Sequence, residues 1–397
     1  MPTFFLVLFI LIVYPSNVPA GNWDLSGSVS AELRTFPEEP QFRDQFDHFQ
    51  ASLAINPEFR YTSSNEKHQF SFNPFARIDS EDNDRSHFDI REAYWRGMTG
   101  DWEFLVGINS LFWGVTESRH LVNIINQIDQ LEDVDEEDFL GQPMVKVATQ
   151  RDWGQLSLFI LPGFRERPFP DIKGRLRAPL PVIDEASEYE SGAEEWHVDT
   201  AVRYSHFIGD WDFGLSYFYG TSREPRLTMK SNPNRLVPFY DLIHQWGLDV
   251  QYTHEAWLFK FEGIIRDGHG DTFGAFVGGV EYTFYQILES PKDLGVLVEL
   301  LIDDREMNKA PQTSMDNDLF FGSRLAFNDI QDTSALIGGV VDLEDGSTGL
   351  SLEAERRIGQ HFKFELETRW FLNIDSDNVL APFEKDDFIN LSISYFY

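Results

Sequence analysis

The sequence has no cysteine, little positive charge and no long hydrophobic segment after its first residues. Without cysteine the chain cannot form disulfides, cysteine–zinc sites or a thiol nucleophile. Because 32 Lys and Arg stand against 66 Asp and Glu, the formal net charge is −34, which argues against a nucleic-acid-binding protein. A mean hydropathy of −0.33 argues against a bundle of membrane-spanning helices.

Aromatic residues, in contrast, are abundant. They make up 15% of the chain, with 36 Phe, 13 Tyr and 10 Trp, which is too many for a disordered acidic chain. The sequence therefore combines large apolar side chains with a hydrophilic average. An alternation of the two residue classes along β-strands reconciles these properties, because each strand then has one apolar and one polar face.

The N-terminus resembles a targeting segment. Residues 4–14 form an apolar run of eleven residues, and the small residues Val18 and Ala20 follow it at the positions expected before a signal-peptidase cut. The run is too short to cross a bilayer as a helix, which takes about 20 residues. We predict that residues 1–20 are a secretory signal peptide and that residues 21–397 form the mature protein; a buried N-terminal helix is the alternative.

The dominant pattern in the rest of the chain is alternation of apolar and polar residues. In the last segment Ile389, Leu391, Ile393 and Tyr395 alternate with polar residues. Residues two apart on a strand share a face, so this pattern predicts strands. The segments are about twice the usual strand length of 5–6 residues, which suits tilted strands that cross a bilayer in a barrel.

Eighteen segments follow this pattern, and their connections alternate in length. Every second connection is short, as at 99–100 and 254–255, whereas those between are mostly long, as at 115–142 and 163–194. Short turns at one end and long loops at the other are typical of outer-membrane barrels. We predict an all-β fold, a transmembrane antiparallel up-and-down β-barrel of about 18 strands with both termini at the periplasmic side. Sixteen strands are the alternative, because 87–98 is irregular and 143–150 is short.

Two neighbouring motifs resemble a known group of proteins. The sequence IREAYW at Ile90–Trp95 precedes GINSLFWG at Gly107–Gly114. This pair resembles the R-E-A-Y and W-G motifs of porin-like outer-membrane β-barrel families of Gram-negative proteobacteria. The resemblance implies a place in the outer membrane of a Gram-negative bacterium, in contact with its lipid and lipopolysaccharide. It leaves association into a homo-oligomer open.

The C-terminal strand also resembles the terminal assembly signal of such barrels. Leu391, Ile393, Tyr395 and Tyr397 occupy alternate positions up to the final residue. The resemblance implies that the outer-membrane assembly machinery inserts the protein.

The long connection 115–142 is the first candidate for function. Leu121, Ile124, Ile125 and Ile128 recur at helical spacing, which predicts that it begins as a helix. An acidic stretch follows, whose carboxylates would favour cations if the loop folds into the lumen. We predict a pore constriction formed by Asp133, Asp135, Glu136, Glu137 and Asp138. A solvated acidic loop outside the barrel is the alternative.

A basic cluster and the charged barrel wall are the other candidates. In the connection 163–194 a basic half that could attract an anionic solute or lipid precedes an acidic half, and neutralisation between the halves is the alternative. The basic residues are Arg165, Arg167, Lys173, Arg175 and Arg177. Charges on the polar face of the strands would line the lumen and either tune selectivity or form wall ion pairs. The lumen-wall residues are Arg34, Arg60, Arg203, Arg324, Arg369, Glu299, Glu365 and Glu367.

These observations predict a channel for passive passage of small or charged solutes. A dedicated transporter for a hydrophobic or polysaccharide substrate is one alternative. A barrel hydrolase is another, with Asp267, His269 and Asp271 in a glycine-rich turn as its candidate residues. The sequence has no H-E-x-x-H, G-x-S-x-G or phosphate-loop motif, so we predict no enzyme activity, no metal and no cofactor.

Overall fold

The computed structural model describes residues 21–230 and 235–397, so the predicted signal peptide 1–20 lies outside the described residues. Those residues form strands joined by loops and a few single 3₁₀ turns. Within the described ranges, no helix has both the length and the apolar character needed to cross a membrane. The strands are β1 Gly21–Thr35, β2 Phe49–Ser63, β3 His68–Asp79, β4 Phe88–Thr99, β5 Trp102–Asn109, β6 Gln142–Arg151, β7 Gly154–Pro162, β8 Glu188–Tyr189, β9 Val198–Ile208, β10 Trp211–Thr221, β11 Arg226–Met229, β12 Leu236–Tyr240, β13 Leu242–His254, β14 Trp257–Gly268, β15 Gly270–Phe284, β16 Asp293–Asp303, β17 Asn317–Ala326, β18 Ser334–Asp342, β19 Thr348–Ile358, β20 Phe362–Leu372 and β21 Phe388–Phe396.

Eighteen of these strands form one closed antiparallel barrel, which confirms the predicted fold and strand number. The barrel closes because β1 pairs with β2 on one side and with β21 on the other, for example Val29 opposite Tyr395. Closure leaves no strand edge with unpaired backbone groups, as a bilayer requires. The three remaining strands, β8, β11 and β12, form a small separate sheet within two of the long loops.

The alternation of side chains assigns the two faces of the wall. On β1 the outward residues Trp23 and Leu25 are 72% and 58% exposed, whereas Arg34, of opposite parity, is only 5% exposed. The apolar residues thus form an outer surface suited to lipid, and the polar residues face the lumen. Outward aromatic pairs lie where strands meet the short turns, such as Trp211 with Tyr252 at a ring-centroid distance of 4.4 Å. This is the place of an interfacial aromatic girdle.

The two ends of the barrel differ as predicted. We call the end with turns such as 100–101 and 209–210 the short-turn end, and the other the long-loop end. The longest connections at the long-loop end are 110–141, 163–197 and 222–241.

The motif segment Gly107–Gly114 is only partly strand, because β5 ends at Asn109. From there the chain leaves the wall, and the connection 110–141, here called the inner loop, enters the barrel. Gly114 has a φ of +152°, and a Cβ on it would lie 2.9 Å from the Oε1 atom of Glu262 on β14, six strands away around the barrel. The glycine therefore allows the backbone to pass close to that carboxylate.

Candidate functional site: the lumen

The inner loop is irregular, and the predicted helix at its start is wrong. It has no helix, and its one pairing is an isolated bridge between Ile128 and Phe139. Leu121, Ile124 and Ile125 are all at most 7% exposed. They join the main buried apolar cluster with side chains from many wall strands, so their spacing reflects packing on several sides and not one helical face.

One carboxylate on β14 holds the beginning of the inner loop. Glu262 Oε1 accepts hydrogen bonds from the backbone N–H of Val115 at 2.7 Å and of Thr116 at 3.1 Å, and from the Thr116 hydroxyl at 2.7 Å. Its Oε2 accepts the N–H of Val122 at 3.2 Å. Glu262 is fully buried, so these bonds satisfy both the carboxylate and backbone groups that no strand partner satisfies.

The predicted wall residue Glu299 on β16 binds the two loop residues that follow Thr116. It accepts the N–H of Glu117 at 2.9 Å and that of Ser118 at 2.8 Å. The Glu117 side chain then pairs with Arg324 of β17, another predicted wall residue, and lies 3.7 Å from Lys260 of β14. The first part of the loop is therefore fixed to one side of the barrel, through β14, β16 and β17.

Arginines on the far side of the barrel hold the second part. Arg91 of β4 donates to Asp129 at 2.6 Å, and Arg77 of β3 pairs with Glu132 at 2.5 Å. Arg85 donates from Nε to the carbonyl of Leu131 at 2.8 Å. The inner loop thus crosses the lumen and is bound to opposite walls.

Two of the five predicted constriction carboxylates lie where the loop meets the wall. Asp133 is 3.2 Å from Arg34 of β1 and 3.8 Å from Arg369 of β20, and Asp135 is 3.0 Å from Arg369. These ion pairs partly neutralise the carboxylates. They also place two predicted wall arginines directly at the inner loop.

The other three predicted carboxylates make fewer contacts with basic side chains. Glu136, Glu137 and Asp138 are all exposed; Glu136 lies 3.7 Å from Arg167, whereas Asp138 makes no ion pair among the described residues. Desolvation inside the barrel, followed by repulsion from nearby carboxylates, raises the pKa of Asp138 to about 7. The same two causes raise the pKa of Asp135 to about 7. These groups therefore gain their charge near neutral pH.

The remaining predicted wall charges form ion pairs along one strand or, for Arg203 of β9 and Asp249 of β13, across the strand between them. The pairs are Arg60 with Glu58, Arg203 with Asp249 at 2.8 Å, Lys363 with Glu365 at 2.7 Å, and Arg369 with Glu367 at 2.7 Å. Several of these side chains stay accessible to water, with Arg60 44% and Glu365 39% exposed. The short-turn half of the lumen is therefore a wet, charged surface.

The predicted basic cluster splits into residues with different surroundings. Arg175 is buried and pairs with Asp386 at 2.6 Å, while its guanidinium also donates to the carbonyls of Asp47 and Lys385, both at 2.6 Å. It therefore joins three long loops. Lys173 is exposed.

The other basic residues also find partners outside their own loop. Arg165 pairs with Asp89 at 2.7 Å, and Arg167 donates to the carbonyl of Arg223 at 3.0 Å. Arg177 donates to three carbonyls of its own loop. No ion pair of the described residues joins the basic half to residues 184–194, so the two halves do not neutralise each other by direct pairing.

A cavity of about 1020 Å³ lies between the inner loop and the wall formed by β17–β20. We call it the vestibule. Its wall includes Phe320, Val340 and Phe371, which occupy lumen-facing positions although they are apolar. Sequence reasoning missed them because each is next to an outward apolar residue, as in Phe320–Phe321 and Val340–Val341. Such doublets interrupt the alternation, and that interruption is the signal that could have found them.

Two further groups bear on metal binding and catalysis. His87, Asp129 and Glu132 bring three potential ligand atoms within 4.8 Å of one another. Both carboxylates are already engaged by Arg91 and Arg77, so the arrangement suits an ion-pair anchor better than a cation site.

The suggested hydrolase residues do not assemble. Asp271 is exposed and pairs with Lys309 at 2.9 Å. His269 is buried, and its closest ion-pair carboxylate is that of Asp241, at 3.9 Å. Burial, followed by repulsion from nearby arginines, lowers the pKa of His269 to about 3.

No protein-family model matches the chain, and no curated protein matches it. Among solved structures, the chain is similar to Wzi, an Escherichia coli outer-membrane protein involved in group 1 capsule assembly and named a carbohydrate-binding β-barrel. The TM-score is 0.54 and the identity 11%, over 92% of this chain and 83% of that one.

Two porins are also similar in structure. OmpT of Vibrio cholerae, in its trimer form, has a TM-score of 0.45 and 10% identity over 95% of this chain and 100% of that one. A mutant porin of Rh. blastica has a TM-score of 0.44 and 10% identity over the same shares. At these identities the likeness shows the fold, and it confirms the predicted resemblance to outer-membrane barrels of Gram-negative bacteria.

Proposed function

We propose that this chain is an outer-membrane channel through which small solutes pass by diffusion, and that the inner loop sets its narrowest part. The observation that carries this proposal is the course of the loop, which crosses the lumen and is bound to opposite walls through Glu262 of β14 and Arg77 of β3. An 18-stranded barrel is wide enough for an aqueous channel, so a loop held across it limits what passes.

The membrane setting is supported by the outer surface. Leu391 and Tyr395 lie on the outer face of β21, the strand that closes the barrel, and are 53% and 41% exposed. Their place suits contact with lipid and recognition by the assembly machinery. The short-turn end is proposed to face the periplasm, and the long loops to face lipopolysaccharide and the exterior.

We further propose that the inner loop favours cations. Glu136, Glu137 and Asp138 are the predicted constriction carboxylates that no arginine of the described residues holds within 3.5 Å. Replacing them together as Glu136→Gln, Glu137→Gln and Asp138→Asn should shift the reversal potential of the purified barrel in a KCl gradient away from cations. Glu66→Gln, in a short turn outside the lumen, is the matched control and should leave it unchanged.

The outcomes of this experiment separate the two parts of the proposal. An unchanged reversal potential in the triple variant would remove the selectivity role of these carboxylates but leave the channel. Absence of any conductance from folded, bilayer-inserted protein would remove the channel itself.

A dedicated transporter for a hydrophobic substrate is the second candidate function. Phe320, Val340 and Phe371, at lumen-facing positions, favour it, because lumen-facing residues of a barrel that passes water and ions are usually polar.

A further inference from the structure

The wall of the vestibule is apolar along one row of the sheet. In the register of β17–β20, Phe320 lies opposite Val340, Val340 opposite Gly349, and Gly349 opposite Phe371. Phe371 shares the parity of the lumen residue Arg369 on β20, and the other three lie in register with Phe371, so all four face the lumen. The row is therefore an apolar strip where barrels usually place polar residues.

The loops that complete the vestibule also contribute apolar side chains, among charged ones such as Glu136, Glu137 and Arg226. The apolar side chains are those of Ile124 of the inner loop, of Leu180 and Val182 of the 163–197 connection, and of Met307 and Met315 of the 304–316 connection. The volume of about 1020 Å³ is at the upper end of the range of about 300–1,000 Å³ for small-molecule sites. Apolar side chains on both the strand wall and the loops favour a ligand with an extended hydrocarbon part.

Two arginines in the same cavity lack a carboxylate partner. Neither Arg119 nor Arg177 has an acidic oxygen within 4.0 Å among the described residues, although both line the vestibule. Arg119 donates to the Thr313 hydroxyl and to the Met315 carbonyl.

Arg177 is 5% exposed and donates from Nε and Nη1 to the carbonyls of Ile172, Ala178 and Pro179 at 2.9, 2.8 and 3.4 Å, and among the described residues Nη2 makes no hydrogen bond. A buried cation without a counter-ion is costly, and an incoming anion would compensate it.

From the apolar strip and these two guanidinium groups we infer that the vestibule binds an amphipathic solute with an extended apolar body and one anionic head, the chemistry of a medium-chain carboxylate. The apolar body lies along the Phe320–Phe371 row, and the head pairs with Arg119 or Arg177. The inference deepens the proposed function by naming a class of solute, and it rests on that function only in so far as the solute enters through the lumen.

Gly349 offers a direct test of the binding space. A Cβ on Gly349 would have no atom within 4 Å, so Gly349→Phe places a ring into the vestibule without a steric conflict at the backbone. The measurement is equilibrium binding of radiolabelled decanoate to the barrel in lipid nanodiscs, with binding to empty nanodiscs subtracted. We expect saturable binding by the unmodified protein and at least tenfold weaker binding by Gly349→Phe.

Matched variants make the outcome specific. Ile337→Phe, on the outer face of β18 next to the strip, should bind decanoate as the unmodified protein does. If Gly349→Phe fails to fold, Val340→Thr adds a hydroxyl to the strip at nearly constant volume and should weaken binding about threefold. The double variant Arg119→Gln with Arg177→Gln should weaken binding of decanoate about tenfold and leave binding of decanol unchanged.

Several results would overturn the inference. The first is the absence of saturable decanoate binding above the background of empty nanodiscs. The second is an affinity of Gly349→Phe for decanoate equal to that of the unmodified protein. The third is an unchanged affinity for decanoate after both arginines are replaced. The assay needs no conductance, so it can fail independently of the channel. A barrel that conducts ions but does not bind decanoate refutes the vestibule site alone, whereas one that binds decanoate without conducting refutes the channel alone.

Discussion

Replacing Glu262 by Gln should release the beginning of the inner loop from the wall. The carboxylate accepts four hydrogen bonds from the loop, three at Oε1 and one at Oε2. The amide keeps nearly the same shape but loses the charge, and it presents an NH₂ group in place of one acceptor. Glu262→Gln therefore weakens the anchor without opening a cavity in the wall.

The size of the effect follows from the number of bonds. A hydrogen bond to a charged group contributes about 1.5–3 kcal/mol and a neutral one about 0.5–1.5 kcal/mol. Summed over the four hydrogen bonds to Glu262, the loss of the charge lowers the local stability of the inner loop by about 3 kcal/mol. At about 1.36 kcal/mol per factor of ten, this is roughly a 150-fold increase in the population of the opened segment.

Amide hydrogen exchange of the folded barrel is the assay. The N–H groups of Val115, Thr116 and Val122 should exchange roughly 150-fold faster in Glu262→Gln, while the strand amides stay protected. Glu299→Gln is the matched control. The Glu299 carboxylate accepts the backbone N–H of Glu117, so this variant should speed hydrogen exchange at Glu117 instead. Unchanged exchange at Val115 and Thr116 in a folded Glu262→Gln barrel would refute the anchoring role.

Three further predictions concern stability, pH dependence and assembly. Arg175→Gln leaves Asp386 buried without its partner and should lower the free energy of unfolding in urea by about 3–5 kcal/mol, whereas an equal stability would contradict the buried pair. Because the pKa values of Asp135 and Asp138 are raised to about 7, both are largely neutral at pH 5.5 and charged at pH 8.5. The cation preference should therefore rise between these values, and it should rise less once both are Asn. Tyr397→Ser should reduce the amount of folded, heat-modifiable barrel in cell membranes several-fold without changing the stability of barrel folded in vitro; equal amounts in membranes would remove its role as an assembly signal.

The barrel itself is predictable from the sequence because it depends on a simple periodicity. Each strand must be apolar on one face and polar on the other, and the outward residues Trp23 and Leu25 with the inward Arg34 repeat this rule along the chain. The length asymmetry of the connections then fixes which strand ends lie together. The count of eighteen follows from local patterns that do not require knowledge of distant contacts.

The lumen is less predictable, because its contacts join residues far apart in sequence. The spacing of Leu121, Ile124 and Ile125 looks helical, but inside the barrel these residues contact walls on several sides, and the helix never forms. Charged residues could be assigned to the wall by parity, but parity cannot say that Arg369 of β20 would meet Asp133 of the inner loop. The vestibule strip was missed because apolar doublets hide which residue of each pair faces inward.

The central claim is that solutes pass through the lumen beside the inner loop. Because the chain has no cysteine, a single Ser351→Cys places one thiol on the vestibule wall, whereas Leu352→Cys places it at the opposite parity of β19, facing lipid. In single-channel recordings in planar bilayers, a charged methanethiosulfonate reagent should reduce the current through the Ser351→Cys barrel and leave that through the Leu352→Cys barrel unchanged. A folded barrel that never conducts, or a current through Ser351→Cys that the reagent does not alter, would contradict the account.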